Sequence, residues 1–247
     1  MRNIKLVLEY DGGAFYGFQR QDPKPTVQKT LEEAFEKLFH KKLKIKSASG
    51  RTDRGVHAQY QVVNFFTASK IPIQNILRGL NRYLPPALAV KEAEDVSKSF
   101  HARFNAKSKV YEYQVWNHPV RSPLHLSQTA HIPYRLNLPQ MRKATRFLIG
   151  KHDFRSFAAV DPARKNENSV RTLKRLEIKK QGPLLRFTLE ADGFLYYMVR
   201  NIVGTLLAVG TNRFLPADIQ KILRSQDRKK AGATAPPQGL RLSRVKY

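Results

Sequence analysis

A two-residue alternation of apolar side chains marks the start of the chain. Every second residue from Ile4 to Tyr10 is apolar, and this period is typical of a β-strand. Further strands are predicted for residues 60–66, 87–96, 110–116 and 239–247. A β-hairpin is predicted for residues 171–192, with its turn at residues 181–183.

Other segments carry apolar residues at helical spacing. Residues 26–43 predict a helix with Thr26 as its N-cap. Its apolar face consists of Val27, Leu31, Ala34, Phe35 and Leu38. A second helix is predicted ahead of Pro85 and Pro86, over residues 73–84. Residues 216–225 predict a short one.

Two more helices are predicted in the second half of the chain. Residues 139–154 begin with Pro139 and contain Gly150, which we interpret as the C-cap. Residues 193–210 are apolar on nearly every side, so we expect a buried helix. Its 18 residues include Arg200 and Asn201, which makes it a poor membrane span.

Strands and helices mix in both halves, and this mixture predicts an α+β fold. The basic, polar segment 99–109 is interpreted as a linker. We therefore expect an N-terminal α+β domain over residues 1–105 and a C-terminal α+β domain over residues 106–247.

The charge of the chain is strongly unbalanced. Forty-five Lys and Arg residues stand against 19 acidic ones, for a net charge of +26. A polyanionic partner is the simplest explanation. An anionic membrane is the rival, but no long apolar run or basic amphipathic anchor supports it. There is no cysteine, which excludes disulfides and thiolate chemistry and agrees with a reducing cytosol. The N-terminal stretch does not resemble a signal peptide.

One acidic residue occupies an unusual place in this basic chain. The segment SASGRTDRGVHAQ, residues 47–59, sets Asp53 between Arg51 and Arg54. An aspartate in a turn often only bonds its own backbone. Flanking arginines favour its ionised form, however, and an ionised carboxylate can act as a nucleophile or a base. His57 can serve as an acid or base, but its sequence neighbours supply no catalytic triad.

The charge of Arg200 within an apolar helix needs a partner. That partner is either a nearby acid such as Asp192 or Asp53 across a cleft between the halves. Tyr111 and Tyr113 share one face of a strand. They are either core residues or, beside a basic cleft, a platform for a displaced base. The remaining histidines show no metal-ligand spacing, and no nucleotide-binding motif is present.

Five segments, in order along the chain, resemble the TruA-type tRNA pseudouridine synthases. They are EYDGGAFYGFQRQ followed by TVQKTLEEAF, GRTDRGVHA, KVYEY, FLYYMVRNIVGTLLAVG and ATAPPQGLRLSRVKY. The chain departs from the family at three positions, where the family more often has Thr or Ser at Gly13, Trp at Phe18, and a small residue or Lys at Arg54. The first two departures affect loop packing, and Arg54 adds a candidate phosphate contact.

The resemblance implies a cytoplasmic isomerase that converts uridines at positions 38–40 of the tRNA anticodon stem-loop to pseudouridine. It implies no metal, no organic cofactor and no membrane partner. It implies a homodimer that binds tRNA across both subunits, with two α+β halves around a basic cleft. By the same resemblance Asp53 is the catalytic aspartate, Arg200 its arginine partner and Tyr111 the base-stacking tyrosine. Arg51, Arg54 and His57 are the further candidates for substrate binding.

Two other functions compete with this one. A non-catalytic RNA-binding protein, such as a ribosome-associated module, explains the charge equally well but explains neither Asp53 nor Arg200. A metal-dependent nuclease usually needs several carboxylates around a metal, and the sequence offers no such cluster.

Overall fold

The computed structural model describes residues 1–160 and 168–247, which form two units. The first consists of residues 1–107 and 241–247, and the second of residues 108–240. The last seven residues therefore belong with the N-terminal unit, whereas the sequence prediction placed them in the C-terminal domain. The reason is strand pairing, because Arg241 and Leu242 lie beside His57 and Ala58.

The first unit is built on a mostly antiparallel sheet. Its strands are β1 (Arg2–Tyr10), β2 (Ile45–Ala48), β3 (His57–Thr67), β4 (Leu88–Val96) and β10 (Leu240–Lys246). The order is β4-β1-β3-β10, and β2 also pairs with β3. β10 runs parallel to β3, whereas the other pairs are antiparallel. β2 was not predicted, and its pairing brings the segment before Asp53 onto the sheet.

Two helices cover this sheet's core residues. α1 (Val27–Phe39) begins after Thr26, whose side chain accepts a hydrogen bond from the Lys29 N–H, so the predicted N-cap is confirmed. The ring of Phe35 stacks on Phe65 of β3 at 4.3 Å between centroids, and both residues are fully buried. α2 spans Ile73–Tyr83.

The second unit is built on mostly antiparallel strands. Its strands are β5 (Ser108–Asn117), β6 (Ala130–Ile132), β7 (Gly150–Asp153), β8 (Val170–Gln181) and β9 (Leu184–Ala191). The order is β5-β9-β8-β7, and the short β6 runs parallel to β5. The predicted hairpin is confirmed as β8 and β9, and its turn places Gly182 at a positive φ of 56°. The predicted α+β fold class is likewise confirmed.

The helices of this unit are α3 (Leu138–Thr145), α4 (Met198–Gly210) and α5 (Asp218–Ser225). The prediction that Gly150 caps α3 was wrong. Tight turns end α3 early, because Phe147 and Leu148 bond back to residues only three positions before them. Gly150 instead opens β7.

α4 also begins later than predicted. Tyr197 adopts a left-handed conformation with φ 61°, so the helix starts at Met198 and Arg200 lies in its first turn. Most of α4 is buried, including the polar residues Asn201 and Thr205, in agreement with the prediction of a buried helix. In the described part of the chain, no helix has both the length and the apolar character needed to cross a membrane.

Candidate active site

The loop that joins β2 to β3, residues 49–56, carries Asp53 and is called the motif loop here. Arg51 and Arg54 are exposed, and Asp53 between them is half-buried. The Val56 N–H donates to the Asp53 carbonyl at 3.1 Å, and Gly55 has a positive φ of 78°. Asp53 therefore sits on a tight turn that Gly55 makes possible.

Residues 11–18, called the glycine loop, pack directly on the motif loop. The Phe18 N–H donates to the Thr52 carbonyl at 3.0 Å, and the Tyr10 hydroxyl lies 2.7 Å from Thr52 Oγ1. Gly17 has φ 88°, and a Cβ there would lie only 2.9 Å from the Thr52 oxygen. The residue before Asp53 is thus held from two sides, and the backbone contact requires glycine at position 17.

His57 anchors the other end of the glycine loop. The imidazole is buried, and its Nδ1 lies 3.1 Å from the Gly12 nitrogen and 3.0 Å from Asp11 Oδ1. The neutral ring accepts the Gly12 N–H at Nδ1, whereas a ring protonated there donates to the Asp11 carboxylate. A Cβ on Gly12 would lie 2.1 Å from the Val56 oxygen, so the two loops meet here as closely as they do at Gly17.

The two tyrosines of β5 have different environments in the second unit. Tyr113 is completely buried, and its hydroxyl donates to the Pro236 carbonyl at 2.8 Å. Burial raises the pKa of Tyr113 well above its usual range, against a smaller opposing effect of the Arg200 charge. Tyr111 keeps 8% of its surface exposed and meets Phe194 edge to face at 5.1 Å. Both tyrosines are therefore buried, Tyr113 completely and Tyr111 for all but 8% of its surface.

Arg200 is half-buried and bound to the chain that precedes β10. Its Nε donates to the Ala235 carbonyl at 2.7 Å, and the Ala235 N–H donates back to the Arg200 carbonyl at 3.1 Å. The guanidinium lies over the Tyr197 ring at 4.5 Å. Asp192, the nearby acid that the sequence offered as an alternative partner for Arg200, accepts the Thr172 N–H at 3.0 Å.

A polar network that the sequence did not reveal fixes this segment against α4. The Thr234 hydroxyl donates to Asn201 Oδ1 at 2.7 Å, and the Gly232 N–H donates to Thr205 Oγ1 at 2.9 Å. A Cβ on Gly204 would lie 1.8 Å from the Ala233 oxygen. In the sequence, the small residues of GATAPPQG, residues 232–239, are the signal for this close approach of the segment to α4.

The predicted site residues thus fall into two groups. Arg51, Asp53, Arg54 and His57 lie together in the first unit, on the motif loop and the start of β3. Tyr111 and Arg200 lie in the second unit, on β5 and α4. Among residues 1–160 and 168–247, no group of three or more histidine or acidic side chains is arranged to hold a metal ion.

Comparison with known proteins assigns the chain to a family. The family model described as tRNA pseudouridine synthase matches residues 6–105 and 144–247. A relative from Thermoanaerobacter sp. (strain X514), named tRNA pseudouridine synthase A, is 44% identical over 247 residues that cover the whole of both chains. A protein of the same name from Methylacidiphilum infernorum (isolate V4) is 43% identical over 98% of this chain and 94% of the relative.

The chain belongs to the tRNA pseudouridine synthase family. The family resemblance identified from the five sequence segments is therefore confirmed.

The contact between Gly17 and Thr52 leads to a first prediction. We expect Gly17→Ala to slow pseudouridine formation by roughly 10- to 100-fold, because the new Cβ forces the two loops apart and displaces Asp53. Single-turnover kinetics on unmodified tRNA measure the effect.

The matched control for this substitution is Gly182→Ala. Gly182 also has a positive φ, but nothing lies within 4 Å of its would-be Cβ. We expect a loss of about 1 kcal/mol in stability and an unchanged rate. Equal rates for both variants and wild type would show that Gly17 does not support the site.

Proposed function

We propose that this chain isomerises uridine to pseudouridine at positions 38–40 of the tRNA anticodon stem-loop, with Asp53 as the catalytic carboxylate. Family membership makes it an isomerase that acts on uridine in tRNA. The observation that carries the catalytic role is the placement of Asp53, a half-buried acid on a clamped turn between two exposed arginines. The anticodon stem-loop as target rests on the resemblance of the sequence motifs.

The reaction explains why such a site is needed. The bond from C1′ of the ribose to N1 of uracil must break, and a bond from C1′ to C5 must form. The base therefore has to leave the stack and rotate within a pocket. An ionised Asp53 can attack the sugar carbon, attack the base or take a proton from the sugar, and all three routes require the charged carboxylate.

We assign supporting roles to residues of the second unit. By the family resemblance Tyr111 stacks on the displaced uracil, and the Phe194 ring meets Tyr111 edge to face. We infer that Arg200 faces Asp53 in the working enzyme. Its Nε donates to the Ala235 carbonyl, which fixes the direction of the guanidinium, and the guanidinium group can donate two parallel hydrogen bonds to a carboxylate. Arg51 and His57 remain candidates for contacts to the bound RNA.

The partner and assembly follow from charge and resemblance. A net charge of +26 suits tRNA as the polyanionic substrate. We propose a homodimer in the cytoplasm, as the resemblance implies. The absence of cysteine agrees with a reducing compartment.

Asp53→Asn is the direct test of the catalytic role. We expect no detectable pseudouridine but tRNA affinity close to wild type, because the amide is nearly isosteric and only the charge is lost. Pseudouridine mapping of treated tRNA and a filter-binding assay measure the two quantities.

Asp95→Asn serves as the control for this substitution. Asp95 is an exposed acid paired with Arg2 at 2.7 Å, and its loss should leave the rate unchanged. Wild-type turnover by Asp53→Asn would contradict the catalytic role of Asp53. Tight tRNA binding by a wild-type protein that forms no pseudouridine would favour the non-catalytic alternative.

Arg200→Met tests the proposed pairing with Asp53. We expect the rate to fall about 100-fold, on the scale of about 3 kcal/mol for a broken charge pair, with a smaller effect on tRNA binding. Without the positive charge, the neutral carboxyl is favoured, so the acidic limb of the pH–rate profile should move to higher pH. Arg200→Lys should keep part of the rate. An unchanged pH profile in Arg200→Met would contradict the pairing.

The homodimer is tested separately from the chemistry. Sedimentation equilibrium should give twice the 28.4 kDa mass of one chain, and a monomeric mass at working concentrations would remove this part of the proposal.

A further inference from the structure

Arg54, the residue that follows Asp53, lies against an aromatic ring of the glycine loop. The centre of its guanidinium is 4.2 Å from the centroid of the Tyr16 ring. The ammonium of Lys24 lies 5.0 Å from the same centroid. Two positive charges therefore share one half-buried tyrosine beside the motif loop. We call these three residues the Tyr16 cluster.

The backbone around Tyr16 is fixed from several directions. The Tyr16 N–H donates to the Pro25 carbonyl at 2.8 Å, and the Val27 N–H donates to the Gly17 carbonyl at 3.2 Å. The next residue, Phe18, is bonded to Thr52 of the motif loop. The Tyr16 backbone is therefore held at a set position relative to Asp53, and the two cations lie over the ring that this backbone carries.

The cations themselves are available to a ligand. Arg54 and Lys24 are both exposed, and within the described residues no hydrogen bond or ion pair engages either side-chain charge. Stacking on a ring uses the flat face of a guanidinium and leaves its N–H donors at the edge free. These donors match the oxygens of a phosphate, which arginine binds through two parallel hydrogen bonds.

We propose that the Tyr16 cluster is a phosphate-binding site for the tRNA backbone immediately next to the target uridine, with Arg54 as the principal ligand and Tyr16 as its support. This inference rests on the proposed function of Asp53. Arg54 follows Asp53 directly, so its Cα lies about 3.8 Å from that of Asp53. A nucleotide whose C1′ lies at Asp53 carries its flanking phosphates within reach of an arginine side chain.

The arrangement suits phosphate better than a base. Cations already lie over the Tyr16 ring, so the ring is not a free stacking platform. When a base leaves its stack, its own sugar–phosphate backbone has to stay in place. A positively charged protein side chain that binds this backbone supplies the constraint. Lys24 adds a second charge of the same sign.

The first test measures RNA affinity and turnover separately. In an Asp53→Asn background, Arg54→Gln should weaken tRNA binding about tenfold. The slope of log affinity against log salt should become shallower by about 0.7–0.9, the loss of one phosphate contact. In the otherwise wild-type enzyme the same substitution should raise KM with little change in kcat.

The control changes the net charge by the same amount. Arg175→Gln removes an exposed arginine that Glu177 already engages at 2.6 Å, and it should leave both affinity and salt slope as in wild type. Tyr16→Leu should reproduce most of the Arg54→Gln effect, whereas Tyr16→Phe keeps the ring and should bind tRNA like wild type. A thermal melt confirms that each variant is folded.

The second test locates the phosphate. Two tRNAs are compared, each with one uncharged methylphosphonate linkage, on the 5′ or on the 3′ side of the target uridine. We expect one of the two to bind wild type about tenfold more weakly than unmodified tRNA does. The same linkage should have no further effect on Arg54→Gln, because the two changes remove the same contact.

Two results would overturn the inference while leaving the catalytic role of Asp53 intact. One is an Arg54→Gln variant with wild-type affinity and salt slope. The other is a methylphosphonate penalty equal in wild type and Arg54→Gln at both linkages. Failure of the catalytic role of Asp53 would show instead as wild-type turnover by Asp53→Asn.

Discussion

The hydrogen bond from the Phe18 N–H to the Thr52 carbonyl is the contact on which the first unit's site depends. It joins the glycine loop to the motif loop one residue before Asp53. The approach is so close that a Cβ at Gly17 would collide with the same oxygen. The contact therefore sets both the position of Asp53 and that of Tyr16, one residue before Gly17. The chemistry and the proposed phosphate contact share one backbone geometry.

Charge sets a second constraint, because the protein must attract a polyanion and still place one carboxylate where that polyanion binds. A net charge of +26 serves the first need. Several acids of the described chain pair with basic side chains, as Asp95 does with Arg2 and Glu177 does with Arg175. Asp53 lies half-buried on a loop with exposed arginines on either side. The positive charge around Asp53 therefore attracts RNA phosphates to the site, although the site contains a carboxylate.

Local patterns predicted the parts of the fold that local chemistry determines. The Thr26 cap, the hairpin turn at Gly182 and the buried character of α4 all depend on residues close together in sequence. Contacts between distant segments were not accessible in this way. The pairing of β10 with β3 joins residues nearly two hundred positions apart, so no periodicity reports it. The site residues were recognised through motifs, whereas the support for Arg54 by Tyr16 is visible only in three dimensions.

Arg200 illustrates how the second unit handles a charge in an apolar setting. The helix interior was expected to isolate it, but the left-handed Tyr197 delays the start of α4 and puts Arg200 in the first turn. There the Ala235 carbonyl accepts from its Nε, and the Tyr197 ring lies beneath its guanidinium. Neither contact neutralises the charge, because one partner is a carbonyl and the other a ring. The segment around Ala235 is in turn held by Thr234 on Asn201. These contacts fix the orientation of the Arg200 guanidinium in the first turn of α4.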